Sequence, residues 1–342
     1  MSIGTSYEES VKQALMRIAE HIPEDLVGVF RKVSRITKDD IHSIPPGPSG
    51  IVSAIDGSNT MVAEGGTVSI AAIRAVRTTF SGEDRFNRSI TPLTLVTIGP
   101  GHRNTDFDEL YRDCFGTPPH KGLDNADHER ASAILRDTLE YWVALQTAKT
   151  VPEGALLLID GALRVSSQNH EPVLADIIRT AQERNLLLAA VAKRSSATWG
   201  GGHPLLPAVG GLAAQFGVTG PWWTRIDDHL LDHTEYHQGR HGQIYVASLH
   251  ARMSRPLKME LPKGASDEEE AVTMKALAAS AGDGRIPGYP YPLLDAHRSV
   301  VIDEALVTQI QQDIKSGLAK MGMRNRSFED LFGDLHGDFE RY

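Results

Sequence analysis

Two short apolar runs each end in Asp-Gly: Ile51-Val-Ser-Ala-Ile-Asp56-Gly57-Ser58 and Leu156-Leu-Leu-Ile-Asp160-Gly161-Ala162. Runs of this length bounded by glycine predict β-strands, so the two acids stand at equivalent strand ends. Carboxylates brought side by side repel unless a cation lies between them. Hard divalent cations take oxygen ligands of this type, and phosphoryl chemistry uses them. If the two strands are neighbours in one sheet, Asp56 and Asp160 form a metal-binding pair. Each motif alone also reads as an ordinary Asp-Gly turn or a helix cap, and the repetition is what points to chemistry.

A metal pair calls for a third acid. Between the two strands, His128 to Thr150 carries Ala131, Ile134, Leu135, Leu139, Trp142, Val143, Leu145 and Ala148 at a spacing that suits a helix packed on a sheet. Its acids are Glu129, Asp137 and Glu140. Glu140 is the best placed, beside Leu139 and Tyr141-Trp142-Val143; the alternative is a solvated Glu140 paired with Arg136 at i−4. His297, near the start of the closing helix, could ligate a metal or shuttle a proton to a leaving oxygen, against a plain surface or packing role. Lys193, after the strand Leu186–Ala192, could bind a substrate phosphate together with Ser58, against the ordinary reading of a solvated lysine.

The elements around these residues follow from pattern. Apolar positions from Ser10 to about Val33 predict two helices broken at Pro23, and Pro45-Pro46-Gly47-Pro48 ends regular structure. Three strands are expected at Gly50–Asp56, Thr67–Thr78 and Ile90–Gly99, the first two as a hairpin. A polar loop with a short helix covers Arg103–Asp127. Then come the long helix, strand Ala155–Asp160, helix Glu171–Arg184 and strand Leu186–Ala192. The order β-β-β-α-β-α-β predicts an α/β protein with a ribonuclease H-like mixed sheet flanked by helices. Trp199–Gly220, rich in Gly and Pro, reads as a loop. Gln243–His250 and Leu257–Leu261 read as an added hairpin, Asp267–Ala279 as a helix, and Leu293–Met321 as one closing helix. The expected division is an N-terminal helical segment (1–48), a nuclease-type domain (49–322) and an acidic tail (323–342).

Bulk properties narrow the class. The chain has 342 residues, 41% of them hydrophobic, enough for a large core. No run approaches a membrane span and no signal-peptide pattern opens the chain, so a cytoplasmic protein without membrane contact is expected. A single cysteine, Cys114, excludes an intrachain disulfide and a cysteine zinc cluster. The net charge of −9 argues against a protein that coats nucleic acid by itself, though not against a nuclease whose grip is local or supplied by a partner.

Four blocks, in order, resemble the NurA nuclease family, which works with the hexameric HerA helicase/translocase in DNA end processing. They are Ile55-Asp56-Gly57-Ser58, Leu158-Ile159-Asp160-Gly161-Ala162-Leu163 (with Ala162 where the family usually has Ser), Ala190-Val191-Ala192-Lys193, and Tyr289-Pro290-Tyr291-Pro292-Leu293-Leu294-Asp295-Ala296-His297. Ile244–Leu249 and Leu257–Pro262 are similar to its late hairpin, and the resemblance spans about residues 50 to 320. It implies that Asp56, Glu140, Asp160 and His297 are catalytic and bind metal, with Glu129 the alternative for Glu140. It further implies two Mn²⁺ (or Mg²⁺) ions, 5′-to-3′ exonuclease and single-strand endonuclease activity on DNA, a homodimer and a HerA-type hexameric ATPase partner, in repair or defence. Two other readings compete. One is a non-catalytic scaffold of a DNA translocase complex. The other is an inositol-monophosphatase-type phosphatase, weakened because Ser53-Ala54-Ile55 lacks the further acid expected there.

Overall fold

The computed structural model describes residues 6–20, 25–66, 68–99, 105–124, 126–193, 195–232, 239–322, 328 and 331–333. The chain opens with α1 (Tyr7–Glu20) and α2 (Leu26–Ser34), the latter capped by Asp25, whose side chain accepts from the Gly28 N–H at 2.8 Å. The expected break at Pro23 and most of the acidic tail lie outside the described residues. A two-residue strand β1 (His42–Ser43) precedes a meander of β2 (Ile51–Glu64), β3 (Ser69–Ser81), β4 (Asp84–Ile90) and β5 (Thr94–Ile98). After α3 (Thr105–Phe115) and α4 (His128–Thr150), the chain alternates β6 (Leu156–Asp160), α5 (Glu171–Glu183) and β7 (Leu187–Ala192). A small ribbon, β8 (Thr198–Trp199) with β9 (His203–Pro204), leads into α6 (Leu205–Gln215) and β10 (Trp222–Ile226). The hairpin β11 (Gly242–Ser248) and β12 (Leu257–Pro262) is followed by α7 (Asp267–Ala279), α8 (Tyr291–Val300) and α9 (Glu304–Lys320).

The main sheet runs β1-β10-β11-β12-β7-β6-β2-β3-β4, with β5 also on β3. Only β2, β6 and β7 are parallel neighbours, and the expected first and fourth strands do lie side by side. The late hairpin extends the sheet through β12 against β7. Alternate residues build two cores. Ile55, Leu157, Ile159, Leu188 and Ala190 face α3, α4 and α5, whereas Val52, Ala54, Leu156, Leu158, Ala189 and Val191 face α7 and α8. Both faces of the central strands are therefore dry, which is why β6 and β7 read as unbroken apolar runs. At the far end of the sheet α2 and α6 pack on Trp222, Ile226, Ile244 and Val246.

Several elements depart from the sequence reading. β2 does not stop at Asp56; it continues to Glu64, because β3 pairs with it along its whole length, from Ile51↔Ser81 to Glu64↔Ser69, with a bulge at Met61/Ala63. Gly57-Ser58-Asn59 mimics a turn locally, and the partner strand overrides it. β4 is a strand with all seven residues exposed, so it has no inward alternation to reveal it. The segment taken as a loop contains α6, with Leu205, Ala208, Val209 and Leu212 fully buried. Its Gly211 is needed for close approach, since a Cβ there would meet Val27 Cγ2 at 2.5 Å. The closing helix is two helices, α8 and α9, divided at 301–303, where Arg74 donates to the carbonyls of Val300 and Val301 and Asp303 caps α9 through the Leu306 N–H.

The face covered by α3, α4 and α5 contains a fully buried histidine. His170 meets Thr138 Oγ1 of α4 at 2.8 Å through Nε2 and lies beside the rings of Tyr111 and Tyr141. Burial lowers its pKa to about 4, with Asp137 opposing. Between that value and the unfolded pKa of about 6.5 the unfolded chain binds a proton that the folded chain does not. Stability is thus lost as pH falls through this window, by up to about 1.4 kcal/mol per unit. In urea titrations the stability advantage of the native chain over His170→Gln is expected to shrink steadily from pH 7 to pH 4; a constant difference would show that His170 is protonated without penalty.

Candidate active site

The alternation that builds the two cores also aims the site residues. On β2, Val52 and Ala54 face α8, so Asp56 does too; on β6, Leu156 and Leu158 place Asp160 on that face; on β7, Ala189 and Val191 do the same for Lys193. Ile55 is in register with Ile159, so Asp56 and Asp160 follow as neighbours just where the parallel pairing of β2 with β6 ends. Gly161 then turns the chain away with φ of +101°, a left-handed conformation that glycine adopts without strain.

Lys193 Nζ lies 2.8 Å from Asp160 Oδ2 and 3.2 Å from Asp56 Oδ2, so one ammonium bridges the two carboxylates. His297, brought in by α8, sits with Nδ1 2.9 Å from the same Asp56 oxygen. Asp56 is almost fully buried, while the His297 side chain is 47% exposed at the mouth. Burial raises the pKa of Asp160, and the charge on Asp56 adds to this; Lys193 and His297 oppose it. Ser58 lies two residues beyond Asp56 on the same face of β2 and is half-buried.

The third acid arrives from the opposite face. Glu140 projects from α4 over Gly57, and a Cβ at Gly57 would stand 2.8 Å from Glu140 Oε2 and 2.9 Å from Arg136 Cγ. The glycine of the first Asp-Gly pair is therefore a passage for a carboxylate. Burial pushes the Glu140 carboxyl well up; Arg136, 3.9 Å away, opposes, and the charges of Asp137, Asp56 and Asp160 add to the upward shift. The i−4 pairing with Arg136 considered as an alternative to a site role is present together with the site position. Glu129 is exposed in the first turn of α4, about three turns away from Glu140, and takes no part.

Asp56, Asp137, Glu140, Asp160, Arg136 and Arg164 line one cleft of about 270 Å³. Asp137 is the member that sequence reasoning named among the helix acids and then passed over. It is held by Arg136 and by the hydroxyl of Ser166, and its position three residues before Glu140 was the signal available. A larger cavity of about 810 Å³ opens at the other edge of the sheet, between β1, β10 and the start of α7. Two of its four acids are engaged within the fold: Asp40 holds the Thr37 backbone and hydroxyl, and Glu270 accepts from the Tyr245 hydroxyl. Size alone does not single out a site.

Among the described residues, no three His, Cys, Asp or Glu side chains converge as a ready metal cage, because Lys193 stands between the two aspartates. The donor set nevertheless fits a hard divalent cation. It consists of carboxylate oxygens in a partly dry cleft, and Asp160 Oδ1 is buried with no hydrogen-bond partner. Carboxylates whose charged forms are disfavoured by burial and by one another are stabilised by a cation that joins them.

Fold and site together define an α/β protein with a mixed sheet and an acidic cleft where its parallel strands end. No family model and no curated protein matches the sequence. Solved structures of NurA share the fold. The NurA nuclease from Sulfolobus solfataricus superposes with a TM-score of 0.55 at 15% identity, over 91% of this chain and 97% of that one. A second NurA structure gives 0.56 at 10% identity, over 93% and 98%. NurA bound to dAMP and manganese gives 0.53 at 10% identity, over 94% and 99%. The likeness is one of fold, across nearly the full length of each chain.

Gly57→Ala is expected to leave the backbone of β2 intact and to displace Glu140 and Arg136. The upward shift in melting temperature on adding Mn²⁺ should fall well below that of Gly50→Ala, whose Cβ meets nothing within 4 Å. Equal shifts in the two variants would show that Glu140 does not reach the cation.

Proposed function

We propose that this protein is a metal-dependent DNA nuclease. The observation that carries this reading is the Asp56–Asp160 pair, bridged by Lys193 and faced by Glu140, in a fold shared with NurA structures, one of them bound to dAMP and manganese. Asp56, Asp160 and Glu140, with His297, would hold two Mn²⁺ or Mg²⁺ ions. Bound there, divalent ions lower the pKa of the attacking water and stabilise charge on the phosphate and the departing oxygen.

The chain's own groups supply the rest. Lys193 has a partly exposed ammonium on the same face as both aspartates and can neutralise a phosphate oxygen as well as a carboxylate. Water gives up a proton to solvent as its oxygen bonds to phosphorus and the P–O3′ bond breaks. His297, tied to Asp56 through one ring nitrogen, has the other for one of two tasks: to ligate a cation or, when that nitrogen carries a proton, to deliver it to the 3′-oxygen. Asp56 fixes the orientation of that ring. Arg136 and Arg164 line the cleft and give local positive charge to a chain whose net charge is −9.

That net charge makes tight unaided binding along DNA unfavourable. A HerA-type hexameric ATPase that delivers the strand, and a homodimer that encloses it, would supply the missing grip. With them, 5′-to-3′ exonuclease and single-strand endonuclease action in end processing or defence is the activity we assign.

End-labelled single-stranded and duplex DNA should be cut in Mn²⁺ or Mg²⁺ and left intact in EDTA. Asp56→Asn and Asp160→Asn should each lower cleavage by more than about 100-fold, since even groups that only orient metal ligands are worth 10–100-fold. Both should retain the native circular dichroism. A fully active Asp160→Asn protein would sink the assignment.

A further inference from the structure

Beyond Asp160 the wall of the cleft is a loop, whose Gly161, Ala162, Arg164, Val165 and Ser166 line the opening. Leu163 is the exception: it turns inward and is fully buried in the core on the α4 side. Both of its backbone groups are held by the late hairpin. Its carbonyl accepts from the His241 N–H at 2.8 Å, just before β11, and its N–H donates to Glu260 Oε2 of β12 at 3.0 Å.

Glu260 is a buried carboxylate that the mechanism above does not use, and its other oxygen accepts from the buried Lys258 Nζ at 2.7 Å. Reaching Leu163 takes it across a strand, because β7 lies between β12 and β6. Glu260 is in register with Ala190 and Lys258 with Ala192, and the two small side chains leave room above β7 for the longer ones. A second gap is kept by Gly242, where a Cβ would stand 2.5 Å from Glu260 Oε2 and 3.1 Å from Leu163 Cβ. Stability is a poor reason for such an arrangement, since apolar side chains commonly replace a buried ion pair without loss. What they cannot replace is a charged acceptor for a backbone N–H, placed three residues after Asp160.

We propose that Glu260 is a positioning residue for the cleft: its carboxylate, neutralised by Lys258, pins Leu163 and so fixes the loop that carries Asp160 at one end and Arg164 in its wall. The late hairpin then does more than widen the sheet, because it sets how one acid of the pair is presented. The consequence for metal rests on the nuclease reading; the pinning of Leu163 does not.

Two variants of the full chain separate reach from charge. Glu260→Asp keeps a carboxylate beside Lys258 and withdraws it from Leu163 by one methylene. Glu260→Gln combined with Lys258→Met removes both charges and keeps an acceptor of native length. In metal-free buffer the Leu163 amide, followed by hydrogen exchange in nuclear magnetic resonance, should exchange about ten-fold faster or more in Glu260→Asp, through local opening of the loop. It should exchange at the native rate in the Gln–Met variant. A Leu163 amide that exchanges as fast in the native chain as in Glu260→Asp overturns the proposal without reference to metal. Mn²⁺ is then titrated and followed by its electron paramagnetic resonance. Glu260→Asp should bind about ten-fold more weakly, the scale of a group that orients a metal ligand, while the Gln–Met variant binds as the native protein does. Native affinity in Glu260→Asp, or equal weakening in both variants, overturns the positioning role and leaves an ion pair that only supports the fold. Native protein that binds no Mn²⁺ overturns the nuclease reading, and the exchange rates then decide Glu260 alone.

Discussion

Two carboxylates placed side by side with little water need positive charge between them, and this requirement organises the centre of the molecule. The parallel strands β2, β6 and β7 set Asp56, Asp160 and Lys193 on one face, and Lys193 meets both acids within 3.2 Å. Burial and mutual repulsion raise the pKa of Asp160, so the cluster favours any cation that can reach it. An ammonium does this as a single point charge. A divalent ion does it with twice the charge and with room for several oxygens, so exchange of one for the other would release Lys193 toward an incoming phosphate. Under the proposed function the same lysine would serve both as a counter-ion to the two acids and as a contact for the substrate.

The remaining parts of the site reach this pair from two layers, and each needs a local concession. From the α4 side, Glu140 can approach only because Gly57 has no Cβ, and it brings Arg136 as a partial counter-charge. From the α8 side, His297 reaches Asp56 because α8 is held by residues of β3 and β4. Arg74 grips its last carbonyls, Arg85 pairs with Asp295, and Thr78 donates to the Pro292 carbonyl. A sheet with both faces covered can bring acids from one helix layer and a histidine from the other to the same strand ends.

Much of this was legible in the sequence because the central strands carry their own signature. The apolar runs before Asp56 and Asp160, with the order of helices and strands, set these two acids side by side, and the run before Lys193 puts it at the end of a strand of its own. The position of Glu140 in the apolar half of α4 singled it out over Glu129. What pattern could not show was whatever depends on a partner in space. β2 extends past Gly57 because β3 runs beside it, and β4 exists because β3 offers an edge, although every β4 residue is exposed. α6 was hidden by its glycines, one of which is there to admit Val27 of α2.

The fold agreement with NurA at 10–15% identity has a physical reading of its own. At such divergence few side chains can be shared, so the likeness is one of backbone arrangement alone. Holding an acidic pair at the end of parallel strands calls for dry faces on both sides, a turn residue after the second acid, and a basic residue within reach of both acids. This chain meets each requirement with Gly161 at φ +101°, with Lys193, and with cores on both faces of β6. Acids this close and this dry are stabilised by a cation beside them, whether lysine or metal, and under the proposed function exchange of one for the other would suit chemistry at a phosphate.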